Sequence, residues 1–275
     1  MCRIAVLPKG YHGEKIVSLL DHLEKAMGGD GNGFGWFDAE GVPQTLKGLK
    51  VPTTAINKLA PASDLVLYHT RKTSAGETND DNTQPFVTVD RSGKPFLLCH
   101  NGTWQSHTDY KKILLMMGKL NVEQYKDWSD THFMAWLIET QGEDRLGLPT
   151  SGVWIQQYSD HAIAHVRSGD FQAVKLGKKW VYASEFPKKD YEKVWDFKSD
   201  TVVYLHPETG FKVLEGSKAE YKTNYQYSYT GPTTTYYGRD LDGEASGTSK
   251  VYYYDKDNKR RELFKSLSDG YGYPY

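Results

Sequence analysis

The second residue of the sequence, in MCRIAV, is one of only two cysteines among 275 residues. Were Met1 removed, Cys2 would carry a thiol nucleophile and a free α-amine on one residue, and no neighbouring histidine would be needed as base. Three other short stretches hold residues of chemical interest: HTRK at 69–72, HNG at 100–102 and SDTHF at 129–133. Each also has an ordinary reading. HTRK suits a strand end with a solvated basic pair, and Asn-Gly is a common tight-turn dipeptide. GDGNGFG at 29–35 looks like a phosphate loop but lacks the Lys-Ser/Thr that such a loop needs, so it reads as a glycine-rich turn.

The elements that must position these residues follow from periodicity. CRIAVL reads as an opening strand. Ile16, Leu19, Leu20, Leu23 and Met27 recur at helical spacing between Glu14 and Met27, and Gly28 and Gly29 end that helix. GGDGNGFGWF then turns into a short aromatic strand, and DLVLYH forms a further strand ending at His69. RKTSAGETNDDNTQPF is rich in turn formers and reads as an ordered surface loop. FVTVD and PFLLCH flank RSGK as a hairpin whose second strand ends at Asn101 and Gly102.

Two helical patterns follow, one through Tyr110, Ile113, Leu114 and Met117, the other through Phe133, Trp136, Leu137 and Ile138. Asp127 or Ser129 is placed to cap the second. GVWIQQY, HAIAHVR, FQAVKLG and WVYASE then read as strands with short turns between them. Strands, paired helices and more strands predict layered sheets and helices, without parallel βαβ alternation.

Composition sets the class. Lys plus Arg number 34 against 35 for Asp plus Glu, so no net field points to nucleic acid or to an anionic membrane. No apolar run approaches the roughly 18 residues that span a bilayer. The start lacks the profile of a secretory signal, because IAVL is cut short by Pro8, Lys9 and Gly10; a cytoplasmic location is the expectation. Two cysteines without CxxC spacing predict neither a disulfide framework nor a zinc site. Near Gly216 the chain becomes Gly-, Ser-, Thr- and Tyr-rich and holds twelve of the 20 tyrosines. We therefore expect a domain at 1–215 and an extended or loosely docked tail at 216–275, with a local hairpin around Asp257 and Asn258.

MCRI, GDGNGFGW, HTRKTSAGETNDDNTQPF, LLCHNGTW, SDTHFMAWLI and WVYASE, in that order, resemble the class II glutamine amidotransferases, a branch of the N-terminal-nucleophile (Ntn) hydrolases. The resemblance runs from Cys2 to about Glu185 and extends to smaller stand-alone members, which share Arg3. It implies an α+β fold, a four-layer αββα sandwich of two mainly antiparallel sheets with helices outside. It also implies roles. Cys2 is the nucleophile and its amine the base; Asn101 and the Gly102 N–H stabilise the oxyanion. Arg71 binds the α-carboxylate of glutamine, Asp130 its ammonium group, and Ser74 helps hold the ligand. No cofactor or metal is implied.

The sequence departs from the family pattern at Lys72, usually tryptophan, and at Ala75 and Gln84, usually histidines. The departures touch the pocket and its loop, so a γ-glutamyl amide stands beside glutamine as substrate. No synthetase segment follows Glu185, so the ammonia acceptor is expected on a separate chain, with the tyrosine-rich tail as a docking element. Two alternatives remain open: a stand-alone hydrolase of a γ-glutamyl amide, and a catalytically idle binding or assembly module. Cys99 reads as a buried core thiol, and His69 and His100 as structural hydrogen-bonding residues.

Overall fold

The computed structural model describes residues 2–59, 61, 63–187, 190–191 and 194–214, together with two strands at 252–254 and 260–262. Two compact units divide between Tyr221 and Lys222. In the first, the elements run β1 (Arg3–Pro8), α1 (Glu14–Met27), β2 (Asn32–Phe37), β3 (Pro43–Gly48), β4 (Leu65–Thr70), β5 (Phe86–Val89) and β6 (Pro95–Asn101). Then come α2 (His107–Met116), α3 (Val122–Tyr125), α4 (Asp130–Gln141), β7 (Val153–Gln157), β8 (Ala162–Val166), β9 (Gln172–Leu176) and β10 (Lys179–Ala183). β11 (Trp195–Asp196), β12 (Thr201–His206) and β13 (Gly210–Val213) complete the unit.

The strands form two sheets, ordered β11-β9-β10-β1-β4-β2-β3 and β13-β12-β8-β7-β6-β5, with every described pairing antiparallel. Three apolar layers hold them together. Side chains alternate across a strand, so Ile4 and Val6 of β1 face the second sheet, where Leu97, Cys99, Val153 and Ile155 meet them. Ala5 and Leu7 turn the other way, under Leu19, Leu20 and Leu23 of α1. Beyond the second sheet, Phe96, Leu98 and Trp154 pack against Phe133, Leu137 and Ile138 of α4. Both faces of β1 are covered, which is why it reads as an unbroken apolar run. Each such fully buried Leu, Ile or Phe contributes about 1.5–3 kcal/mol.

The expected four-layer αββα sandwich is the observed one, and the expected helix at Glu14–Met27 matches to the residue. Ser129, rather than Asp127, caps α4 by accepting the His132 N–H at 3.1 Å. The expected hairpin is present, with Val89 opposite Pro95. Four strands went unpredicted: the edge strands β3 and β11, and β12 with β13, which extend the second sheet past β8.

The glycine-rich 29–35 stretch serves packing of the sheet. It enters β2, where a Cβ on Gly33 would overlap the Gln84 carbonyl oxygen, and one on Gly35 would crowd Pro85 and Leu97. Glycines there let the end of the 71–85 loop lie on the sheet. Among the described residues no helix is long and apolar enough to cross a membrane. In the second unit, β14 (Tyr252–Tyr254) and β15 (Arg260–Glu262) pair antiparallel, with Tyr252 opposite Glu262. The turn at Asp257 and Asn258 and the rest of the 216–275 tail lie outside the described residues.

Candidate active site

Cys2 immediately precedes β1 and is 5% exposed. The Lys72 N–H donates to its Sγ at 3.4 Å, and the thiol lies 3.6 Å from the Lys72 carbonyl oxygen. Burial pushes the thiol pKa up; the Lys72 N–H opposes this, Asp130 adds to it, and Arg71 opposes it. Arg71 and Asp130 are thus both within electrostatic reach of the sulfur. Arg3 fixes the other side of Cys2: Nη1 donates to the Cys2 carbonyl at 3.1 Å and Nη2 to Glu185 Oε2 at 3.2 Å. His22 of α1 meets the second Glu185 oxygen at 3.0 Å.

Arg71 follows β4 and is 2% exposed. Its own N–H donates to Gly31 O, while Nη1 donates to Glu77 O at 2.8 Å and Nη2 to Ala75 O at 3.0 Å. The guanidinium therefore braces the 71–85 loop. A guanidinium has five donor hydrogens, so these two bonds leave capacity for a carboxylate. Asp30 holds the start of the same loop through the Thr73 N–H at 2.9 Å and Lys72 Nζ at 3.4 Å, and these contacts lower its pKa, the Thr73 N–H most. Ser74 Oγ lies 3.0 Å from Thr103 Oγ1, which joins the loop to the segment just after Gly102.

Asn101 ends β6, where sheet register sets it opposite Val153. Its side-chain amide lies 3.0 Å from Ser184 Oγ, and that oxygen accepts the Ile4 N–H at 2.9 Å. The Asn-Gly corner is in this way tied to β1 two residues beyond Cys2. Gly102 has φ 155°, and a Cβ there would come within 2.7 Å of both the Gly152 Cα and His100 Nε2. Only glycine fits that approach.

Asp130 opens α4, 5% exposed. Oδ2 accepts the Trp104 N–H at 2.7 Å and Oδ1 the Thr131 N–H at 2.9 Å. A carboxylate offers about four acceptor positions, so these two bonds leave room for an ammonium. Gln84 joins the two halves: Oε1 accepts the His100 N–H at 2.7 Å, and Nε2 donates to Thr131 Oγ1 at 3.1 Å. His100 stacks on Trp154 with ring centroids 3.6 Å apart, and burial drives its pKa to about 4. His69, fully buried, falls to about 3 for the same first cause. Both rings are neutral at pH 7, in keeping with hydrogen-bonding rather than acid–base roles. Cys99, fully buried between the sheets, is pushed well above the ordinary thiol range by burial.

The structure thus gathers Cys2, Arg71, Ser74, Asn101, Gly102 and Asp130 through linked strand ends and the 71–85 loop. Sequence reading missed Ser184, the Lys72 backbone N–H and Thr103. WVYASE drew notice as a strand, yet only the register Ala5 opposite Ala183 brings its serine to Ile4.

Residues 21–124 match the family model for class II glutamine amidotransferases. No curated protein matches the chain. Among solved structures, glutamine phosphoribosylpyrophosphate amidotransferase from B. subtilis, complexed with ADP and GMP, aligns with TM-score 0.57 and 18% identity over 78% of this chain and 49% of its own. The allosteric regulatory enzyme of purine biosynthesis aligns with TM-score 0.58 and 19% identity over 78% of this chain and 48% of its own. This chain spans about half the length of those two, and at such identity the likeness concerns the fold. The matched segment includes Arg71, Ser74, Asn101 and Gly102; Cys2 and Asp130 lie outside it. The antiparallel double-sheet sandwich and the matched segment agree: residues 21–124 are similar to the class II glutamine amidotransferases, and the first unit shares its fold with the two enzymes above.

Proposed function

We propose that this chain releases ammonia from glutamine with Cys2 as nucleophile, after removal of Met1. The α-amine, with a reference pKa of about 7.7–8.0, takes the thiol proton. Because burial raises the thiol, proton transfer and attack on the amide carbon go together, without a standing thiolate. Asn101 and the Gly102 N–H receive the oxyanion. The amine returns its proton to the departing nitrogen, ammonia leaves, and a glutamyl thioester remains. Water, losing a proton to the same amine, then frees glutamate and restores the thiol.

Arg71 and Asp130 recognise the two charges of the amino-acid end, and Ser74 supports the Arg71 loop. The observation that carries this reading is the Asn101–Ser184–Ile4 connection, which anchors the oxyanion corner to the nucleophile's own strand. Ammonia passes to a synthetase on a separate chain, and the tyrosine-rich 216–275 segment supplies docking side chains. The reaction takes place in the cytoplasm. A second reading, hydrolysis of a γ-glutamyl amide with no partner, draws support from the loop: Lys72 and Ala75 leave its rim basic and small where the family pattern is aromatic.

Release of ammonia and glutamate from glutamine, measured beside a panel of γ-glutamyl amides, separates the two. Glutamine turnover that Cys2→Ala abolishes supports the first reading. Turnover of a γ-glutamyl amide alone supports the second, and retention of Met1 with no turnover of either supports an idle binding module.

A further inference from the structure

Ser184 lies just past β10 and is 1% exposed. Its backbone N–H donates to the Ile4 carbonyl at 2.9 Å, and its Oγ accepts the Ile4 N–H at 2.9 Å, so both backbone groups of Ile4 hold it in place. The remaining contact of Oγ is the Asn101 amide at 3.0 Å. With Nδ2 toward Ser184, the serine oxygen receives two donors, its own O–H finds no described acceptor, and Asn101 Oδ1 is buried without a partner. The two ends of a side-chain amide have the same shape, and the hydrogen-bond network decides between them. Turning the amide lets Ser184 O–H donate to Oδ1. Nδ2 then occupies the unpartnered position, and one of its hydrogens can donate to an anionic oxygen there.

We propose that Ser184 is a positioning residue for the oxyanion site: fixed on Ile4, it donates to Asn101 Oδ1 and so presents the Asn101 amide NH₂ to the substrate oxygen. The inference rests on the reading of Asn101 as the oxyanion donor and Cys2 as the nucleophile. A buried donor without an acceptor is costly. The arrangement therefore favours the state in which negative charge has developed over the neutral amide that precedes it.

The test is steady-state kinetics on the full chain with glutamine, using Ser184→Ala, Ser184→Thr, Asn101→Ala, Cys2→Ala and the Ser184→Ala/Asn101→Ala pair. Ser184→Ala is expected to lower kcat by roughly 10- to 100-fold with little change in KM. Ser184→Thr, which keeps the hydroxyl, should restore most of the rate. The double variant should be no slower than Asn101→Ala, because the serine acts through the amide. Additive losses, or a Thr variant as slow as the Ala variant, would overturn the proposal while leaving the Cys2 reading intact. If Cys2→Ala retained turnover, both would fall. Should Ser184→Ala not fold, the wild-type protein decides: the Asn101 side-chain amide protons, followed by NMR, should move downfield on saturation with glutamate, whose carboxylate offers the anionic oxygen. Unmoved resonances overturn the proposal.

Discussion

The backbone N–H of Lys72 points at Cys2 Sγ across 3.4 Å, so the loop that carries Arg71 also touches the sulfur. That single donor works against a burial that raises the thiol pKa. A thiol whose folded-state pKa is raised adds stability below its unfolded value of about 8.5, and loses it as pH climbs through the folded one. Alkylation follows the same sign. Iodoacetamide should label Cys2 more slowly than a free thiol near pH 8, with the rise in rate displaced to higher pH, as read by peptide mass spectrometry. A rate equal to that of free cysteine at pH 8 would contradict the buried, protonated resting state.

Three buried histidines set the acid limit of the fold. Burial lowers His69 to about 3, His100 to about 4 and His165 to about 3. In the unfolded chain each titrates near 6.5, so the unfolded state binds more protons between the two values. Stability is therefore complete above about pH 6.5 and falls as pH drops toward the folded values, by up to about 1.4 kcal/mol per pH unit for each ring. The melting temperature should decline steeply from pH 6 to pH 4.5. His165→Gln, which removes the ring facing Gln156 Oε1 at 2.8 Å, should make that decline shallower. A melting temperature that stays flat over this range would contradict the neutral-histidine assignment.

Gly33 is where the 71–85 loop rests on β2. An added Cβ would overlap the Gln84 carbonyl, a backbone atom that cannot rotate aside. Gly33→Ala should destabilise the protein by about 3 kcal/mol or more in urea unfolding. Because Gln84 holds both the His100 N–H and Thr131, the variant should also lose turnover out of proportion to its unfolded fraction. Wild-type stability would show that the loop does not bear on β2.

What the sequence made legible follows the range of the interactions. β1, α1 and α4 announce themselves because their apolar residues recur at short spacing and each meets a continuous buried layer. β3 does not: it is an edge strand that opens with Pro43 and leaves Thr45 and Leu46 exposed. β12 has strand-like residues, but its partner β8 lies well back in the chain, so the pairing leaves no local signal. Cys2, the Asn-Gly corner, Arg71 and Asp130 could be singled out because the proposed chemistry demands particular side chains there. Ser184 and the Lys72 N–H could not. One acts through sheet register, and the other acts through a backbone group that every residue except proline has.

The central claim is that the mature chain begins with Cys2 and that its sulfur attacks the glutamine amide. Intact-mass and peptide analysis after treatment with a diazo-ketone analogue of glutamine tests it most directly. The account predicts a chain lacking Met1, with one adduct that maps to Cys2, persists in Cys99→Ala and disappears in Cys2→Ala. Retention of Met1, or an adduct on Cys99, would contradict it.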